Sequence, residues 1–307
     1  MQDYNRFHLR QYIHPYDELI SDEWHKLFEH AKQKEWLESD FSQELSDEQF
    51  HQNFWELYVA NHLEGNGIKI KKLKTKAQEE CPDFYFEKDG QKFWIEAIAV
   101  NKGTGKDKVP EAKFTEITSD TEDEDLDFQE VPTKQAELRM TCGLQTKLDA
   151  YNRYLKSGTI TKNDFFIIAL NYFLASDTWL DISDSGRPYL ISALYNLGPQ
   201  MIGYNNKTKE VSYWTAHRIE LKKANGASVP LNYFNNEDNG NFIGAIGSDC
   251  SFQDLATRPY HKIYYNINPL HQDIMPFEHK VFDYVFFKEE FPSGNYRVSD
   301  INGAFKR

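Results

Sequence analysis

Two carboxylates, Asp83 and Glu96, stand where the residue types point most clearly to chemistry. Cys81-Pro82-Asp83-Phe84-Tyr85-Phe86 leads through Lys88-Asp89-Gly90 into Phe93-Trp94-Ile95-Glu96-Ala97-Ile98-Ala99-Val100. Asp83 opens one short apolar run, and Glu96 sits inside the next. Two runs of strand composition joined by a glycine turn read as a β-hairpin. A hairpin returns the end of its second strand to the start of its first, so both carboxylates can meet at one edge. Acids held there can bind a hard divalent cation such as Mg²⁺ through oxygen. Such an ion positions a water and offsets charge on a phosphate. Energetics points the same way for Glu96. A carboxylate inside an apolar strand needs a partner or a metal, because burying it unpaired is costly.

The elements around the hairpin follow from periodicity. Residues 49–63 carry an apolar stripe at helical spacing, with Phe54, Leu57, Tyr58 and, further on, Leu63. Gly65-Asn66-Gly67 stops that helix. Residues 68–74 alternate in part and predict a strand, and its lysines extend to Lys76. That run is either a basic wall for phosphates or an edge strand guarded by lysines. Residues 132–156 predict a second helix, and 163–171 a buried strand. The predicted order is therefore helix, three strands, helix, strand.

Pro82-Asp83, a hairpin, and then Glu96 followed by a small residue resemble the core of the PD-(D/E)XK nuclease superfamily, the restriction-endonuclease-like fold. The resemblance covers roughly residues 46–170. It implies an α/β (α+β) protein with an αβββαβ core and a mixed central sheet. A helical extension would occupy 1–45, the core 46–172 with an insertion at 103–133, and a β-rich extension or lobe 173–307. The implied activity is metal-dependent hydrolysis of phosphodiesters in nucleic acid, DNA before RNA by family habit. Members of the fold often place a further Glu on the helix before the hairpin, and Glu56 matches it. The resemblance assigns Mg²⁺ or Mn²⁺ to Asp83, Glu96 and the Ala97 carbonyl, with Glu56 on a second ion or a metal-bound water.

One position departs from the pattern. The superfamily's lysine belongs two residues after the Glu, where this chain has Ile98. Some members carry it on the next helix instead. Lys147 is the candidate there, stabilising the pentavalent phosphate, with Gln145 orienting water or backbone. Lys102 is a further candidate. The form Glu96-Ala97 through Asn101 resembles a lysine-poor branch of the fold. Ile98 and the acidic balance keep a second reading open, a nuclease-fold module without chemistry that binds nucleic acid or a protein. A third is an interaction protein with aromatic surfaces.

Bulk properties bound the rest. The chain has 307 residues, room for one large domain or two ordinary ones. Its 22 Phe and 18 Tyr support a sizeable aromatic core and argue against global disorder. The formal net charge of -13 is unlike proteins that coat nucleic acid nonspecifically. The local field at a groove matters more than that total. Cys81, Cys142 and Cys250 are widely spaced and lack zinc spacing, which predicts a reducing, cytoplasmic setting without a disulfide framework. Neither a signal-peptide core nor an apolar stretch of roughly 20 residues is present, so no membrane partner is expected.

Ser21-Asp22-Glu23-Trp24 reads as a helix cap. The acidic block at 115–130 reads as solvated and mobile. Beyond residue 172, segments 211–214, 242–247 and 261–267 predict strands between Asn- and Gly-rich turns, and 187–195 is helical or extended. His271 and His279 read as surface histidines. The oligomeric state is left open.

Overall fold

The computed structural model describes residues 18–37, 47–73, 80–110, 132–175, 187–231, 233–234, 236–251, 263–290 and 296–301. The acidic block at 115–130 lies outside the described residues. The chain divides into two compact units. One comprises Met1–Ala99, Gly143–Phe173 and Phe234–Arg307, the other Val100–Cys142 and Leu174–Tyr233.

In the first unit, helices α1 (Glu18–Gln33) and α2 (Asp47–Gly65) precede the hairpin. α1 starts before Ser21, so that residue is inside the helix and does not cap it. Phe50, Phe54, Trp55, Leu57, Val59, Ala60 and Leu63 of α2 are all buried. A helix apolar nearly all round belongs inside a core. It stops where Gly67 takes a φ of 84°. There the Ile68 N–H returns to the Leu63 carbonyl at 3.1 Å and the Gly67 N–H to the Glu64 carbonyl at 2.9 Å, a glycine-dependent helix end.

The strand predicted at 68–74 shrinks, among the described residues, to one antiparallel bridge between Lys71 and Tyr85. Adjacent lysines break the alternation. Lys71 pairs with Glu87 at 2.9 Å, whereas Lys72 turns to the Trp36 carbonyl at 3.1 Å. The order observed is thus helix, bridge, two strands, helix, strand.

Strands β1 (Phe84–Lys88) and β2 (Gln91–Ala99) form the hairpin. Its two-residue turn, Asp89-Gly90, has φ of 52° and 75°. Two positive values make the hairpin turn whose twist matches the flanking strands, and Asp-Gly is a favoured pair for it. Helix α3 (Thr133–Ser157) leads to β3 (Phe165–Asn171), which pairs with β2 in parallel. Parallel neighbours need a crossover, and α3 lies on it.

The chain then passes through the second unit and returns as β8 (Phe242–Ser248), β9 (Tyr264–Ile267), β10 (Tyr284–Glu290) and β11 (Tyr296–Asp300). The result is a mixed α/β architecture on one seven-stranded sheet, ordered β1-β2-β3-β8-β9-β10-β11.

The inner strands β3 and β8 are buried almost throughout and therefore do not alternate. On one face the Trp55 Nε1–H of α2 donates to the Ala169 carbonyl at 2.9 Å. On the other, Tyr151 of α3 stacks on Phe166 with centroids 4.6 Å apart.

The second unit holds the short helix α4 (Tyr189–Leu194) and two antiparallel ribbons. These are β4 (Leu197–Tyr204) with β5 (Val211–His217), and β6 (Glu220–Lys222) with β7 (Ser228–Pro230). Within it, the buried Glu137 carboxylate accepts from Arg218 at 2.6 Å. No described helix is long and apolar enough to cross a membrane. None of the three cysteines forms a disulfide.

Candidate active site

The hairpin register sets Phe84 opposite Ile95. Carried on, it places Asp83 opposite Glu96 and Pro82 opposite Ala97. Residues directly opposite share a face of the sheet, so the two acids do not point apart. Pairing stops at Phe84 because the next ladder position falls at Pro82, which has no N–H to donate. β2 runs on to Ala99, and its backbone groups past Ile95 must find other partners. Asp83 and Gln52 provide them. The Ala97 N–H donates to Asp83 Oδ2 at 2.7 Å. Gln52 Nε2 donates to the Ala97 carbonyl at 3.1 Å, and Gln52 Oε1 accepts from the Ala99 N–H at 2.8 Å. The same Nε2 also donates to Glu56 Oε1 at 2.8 Å.

Glu96 is only 5% exposed. Its Oε1 accepts from Lys147 Nζ at 2.8 Å and from the Tyr154 hydroxyl at 3.2 Å. Its Oε2 is buried without a hydrogen-bond partner. Lys147 and Tyr154 are two helical turns apart and share one face of α3. Ile98, two residues beyond Glu96, faces the same side of β2. Lys147 therefore reaches Glu96 from the helix that covers the face where a strand lysine would have pointed.

Electrostatics binds these residues into one group. Burial, and then the charge of Asp83, raise Glu56 from 4.5 to about 8, against hydrogen bonding from Gln52 and the charges of Lys72 and Lys147. Burial and Asp83 likewise raise Glu96 to about 7, against Lys147 and Tyr154. Burial alone would lower Lys147, but the Glu96, Asp83 and Glu56 carboxylates outweigh it and hold the ammonium above its usual range. Burial and the neighbouring Glu96 push the Tyr154 hydroxyl up. The acids are thus short of positive charge.

Glu56, Asp83 and Glu96 all lie within electrostatic reach of Lys147, and Gln52 links Glu56 to the Ala97 carbonyl. Gln145 does not join them. It is exposed and donates to Asp149 Oδ1 at 2.8 Å. The reason is helical phase: two residues along α3 turn the side chain by about 200°, so Lys147 faces the sheet and Gln145 faces away. Lys102 belongs to the second unit. His271 bonds the Gly240 carbonyl at 3.0 Å, and His279 is exposed.

Gln52 and Tyr154 were missed from sequence. Each had a faint signal, Gln52 one turn before Glu56 and Tyr154 two turns after Lys147.

Among the described residues, no three Asp, Glu, His or Cys side chains converge closely enough to hold an ion together. The Asp83–Glu96 pair, with the unpartnered Glu96 Oε2, is where the donors fit one. Mg²⁺ commonly takes one or two carboxylates and keeps several waters. A cavity of about 800 Å³ opens instead at the turn end of the hairpin, beside Lys88, Asp89, Lys162 and Asn241, and none of the candidate residues lines it. No protein-family model, no curated protein and no solved structure matches this chain.

Proposed function

We propose that this chain is a divalent-cation-dependent phosphodiesterase of nucleic acid, DNA before RNA, built on a divergent restriction-endonuclease-like core. One observation carries the reading: Lys147 Nζ lies 2.8 Å from Glu96 Oε1, on the face where Ile98 stands in place of the superfamily's lysine. A lysine from the following helix thus serves the paired acids. Mg²⁺ or Mn²⁺, when bound by Asp83 and Glu96, supplies an activated water and a Lewis acid for the phosphate.

The chain's own residues do the rest. Tyr154 fixes the Glu96 carboxylate by donating to Oε1. Lys147 stays cationic and places its charge where negative charge develops on phosphate, an effect strongest in a water-poor site. Burial and the charge of Asp83 favour the protonated form of Glu56, which makes it the group placed to donate a proton.

A second reading is a nuclease-fold binding module without chemistry. It is favoured by one feature, that Lys147 is already paired with Glu96 Oε1 at 2.8 Å.

The test is cleavage of plasmid DNA by purified protein in Mg²⁺ or Mn²⁺. Asp83→Ala and Glu96→Ala should each cut the rate by at least about 100-fold, the scale of losing one electrostatic stabiliser. Lys147→Ala should cost less than either acid. Equal residual activity in wild type and Asp83→Ala would mark the cleavage as contamination and leave the binding-module reading.

A further inference from the structure

We propose that the side-chain amide of Gln52 fills the position a second cation would take, so that the site holds one divalent ion. This rests on the metal-dependent reading above. Once Asp83 and Glu96 take a first ion, the oxygens left for a second include Glu56 Oε1 and the Ala97 carbonyl. Gln52 Nε2 bonds both at once, at 2.8 Å and 3.1 Å. An –NH₂ group brings two donors and no acceptor, so it meets the same oxygens that a cation would and repels a cation placed there.

The amide cannot simply turn over. Its oxygen is held by the Ala99 N–H at 2.8 Å, and rotation would face that donor with –NH₂ and the Ala97 carbonyl with an oxygen. Nor can it swing away at no cost. β2 outruns β1 here, and without Gln52 the Ala97 carbonyl and Ala99 N–H lose the partners described above. The stop at Pro82 and the placement of Gln52 are therefore parts of one device: the strand edge that β1 leaves open is closed by a side chain that also occupies two of the oxygens a second ion would use. In two-ion sites the ions stabilise the attacking and leaving oxygens together. With one ion, the second charge comes from Lys147.

The test counts Mn²⁺ bound by the cation-free full chain, from the electron paramagnetic resonance signal of free Mn²⁺. Asp83→Ala supplies the background that an acidic protein binds weakly. Above that background, wild type should take one Mn²⁺ per chain. Gln52→Ala should take two. Gln52→Glu keeps the side-chain length, adds a ligand, and should also take two, which covers the case that the alanine variant fails to fold; circular dichroism checks each. Two ions on wild type would overturn the inference and leave the metal-dependent reading standing. A count that stays at one in a folded Gln52 variant would overturn it as well. No specific Mn²⁺ on wild type would remove both.

Discussion

At Glu96 a buried carboxylate is pulled two ways. Burial and Asp83 favour its protonated form, while Lys147 and Tyr154 favour the charged one. Removing the lysine should expose that balance. Breaking a buried pair from one side costs about 3–5 kcal/mol, because a charge is left behind. Glu96 can escape the cost by taking a proton. Lys147→Met should therefore lower the unfolding free energy by about 3 kcal/mol near pH 8 and by much less near pH 5. Adding Glu96→Gln should restore most of the loss. Urea titrations at the two pH values check this, and a loss independent of pH would mean that Lys147 matters only through packing.

The same shifts set a wider pH dependence. Glu56 at about 8 and Glu96 at about 7 both lie above their ordinary 4.5. The folded chain holds these protons more tightly than the unfolded one, so their stabilising contribution is complete below the unfolded value and lost as pH rises through the folded ones. The Tm of cation-free protein should fall between about pH 5 and pH 8, and Glu56→Gln should remove the upper part of the fall. A flat profile for wild type would contradict it.

Asp83 and Glu96 were legible because a short hairpin leaves little freedom in where its ends meet. Gln145 misled because reach was judged without helical phase. Gln52 was hidden because its partners are backbone groups on a strand far along the chain.

Among the elements, the hairpin turn controls how Asp83 meets Glu96. Gly90 has φ of 75°, and a Cβ added there would meet nothing within 4 Å. The cost of Gly90→Ala is therefore conformational alone, about 1 kcal/mol. Asp89, at φ of 52°, already accepts the left-handed region, and Asp89→Gly should be close to neutral. Denaturant midpoints measure both, and equal costs at the two positions would refute the assignment of strain to Gly90. Long elements rich in apolar residues, α2, α3 and β3, were readable to within a few residues. The strand at 68–74 was not. Its lysines look alike in sequence, yet one is drawn to Glu87 and the next to a helix-end carbonyl, and only packing decides that.

At the scale of the molecule, a chain of net charge -13 offers a cluster of acids to a polyanion. Under the proposed function, a bound cation is what joins the two, more than any basic surface. The mixed sheet was foreseen in part, including strands at 242–247 and 261–267, but the order in which its C-terminal strands pair was not. β8 lies beside β3, although Leu174–Tyr233 of the second unit separates them in sequence, and pairing across such a gap leaves no local trace. The two-residue turn, by contrast, is local, and this orders assembly in time. Hairpins close in about 1–10 μs, before contacts between distant segments. Asp83 and Glu96 thus face each other while still in water, where their repulsion is weak. Lys147 arrives only when α3 docks, and burial arrives with it. A chain caught before that step carries both acids but lacks the lysine and the dry setting. Under the proposed function, the newly made polypeptide should stay inert towards phosphodiesters until α3 is in place.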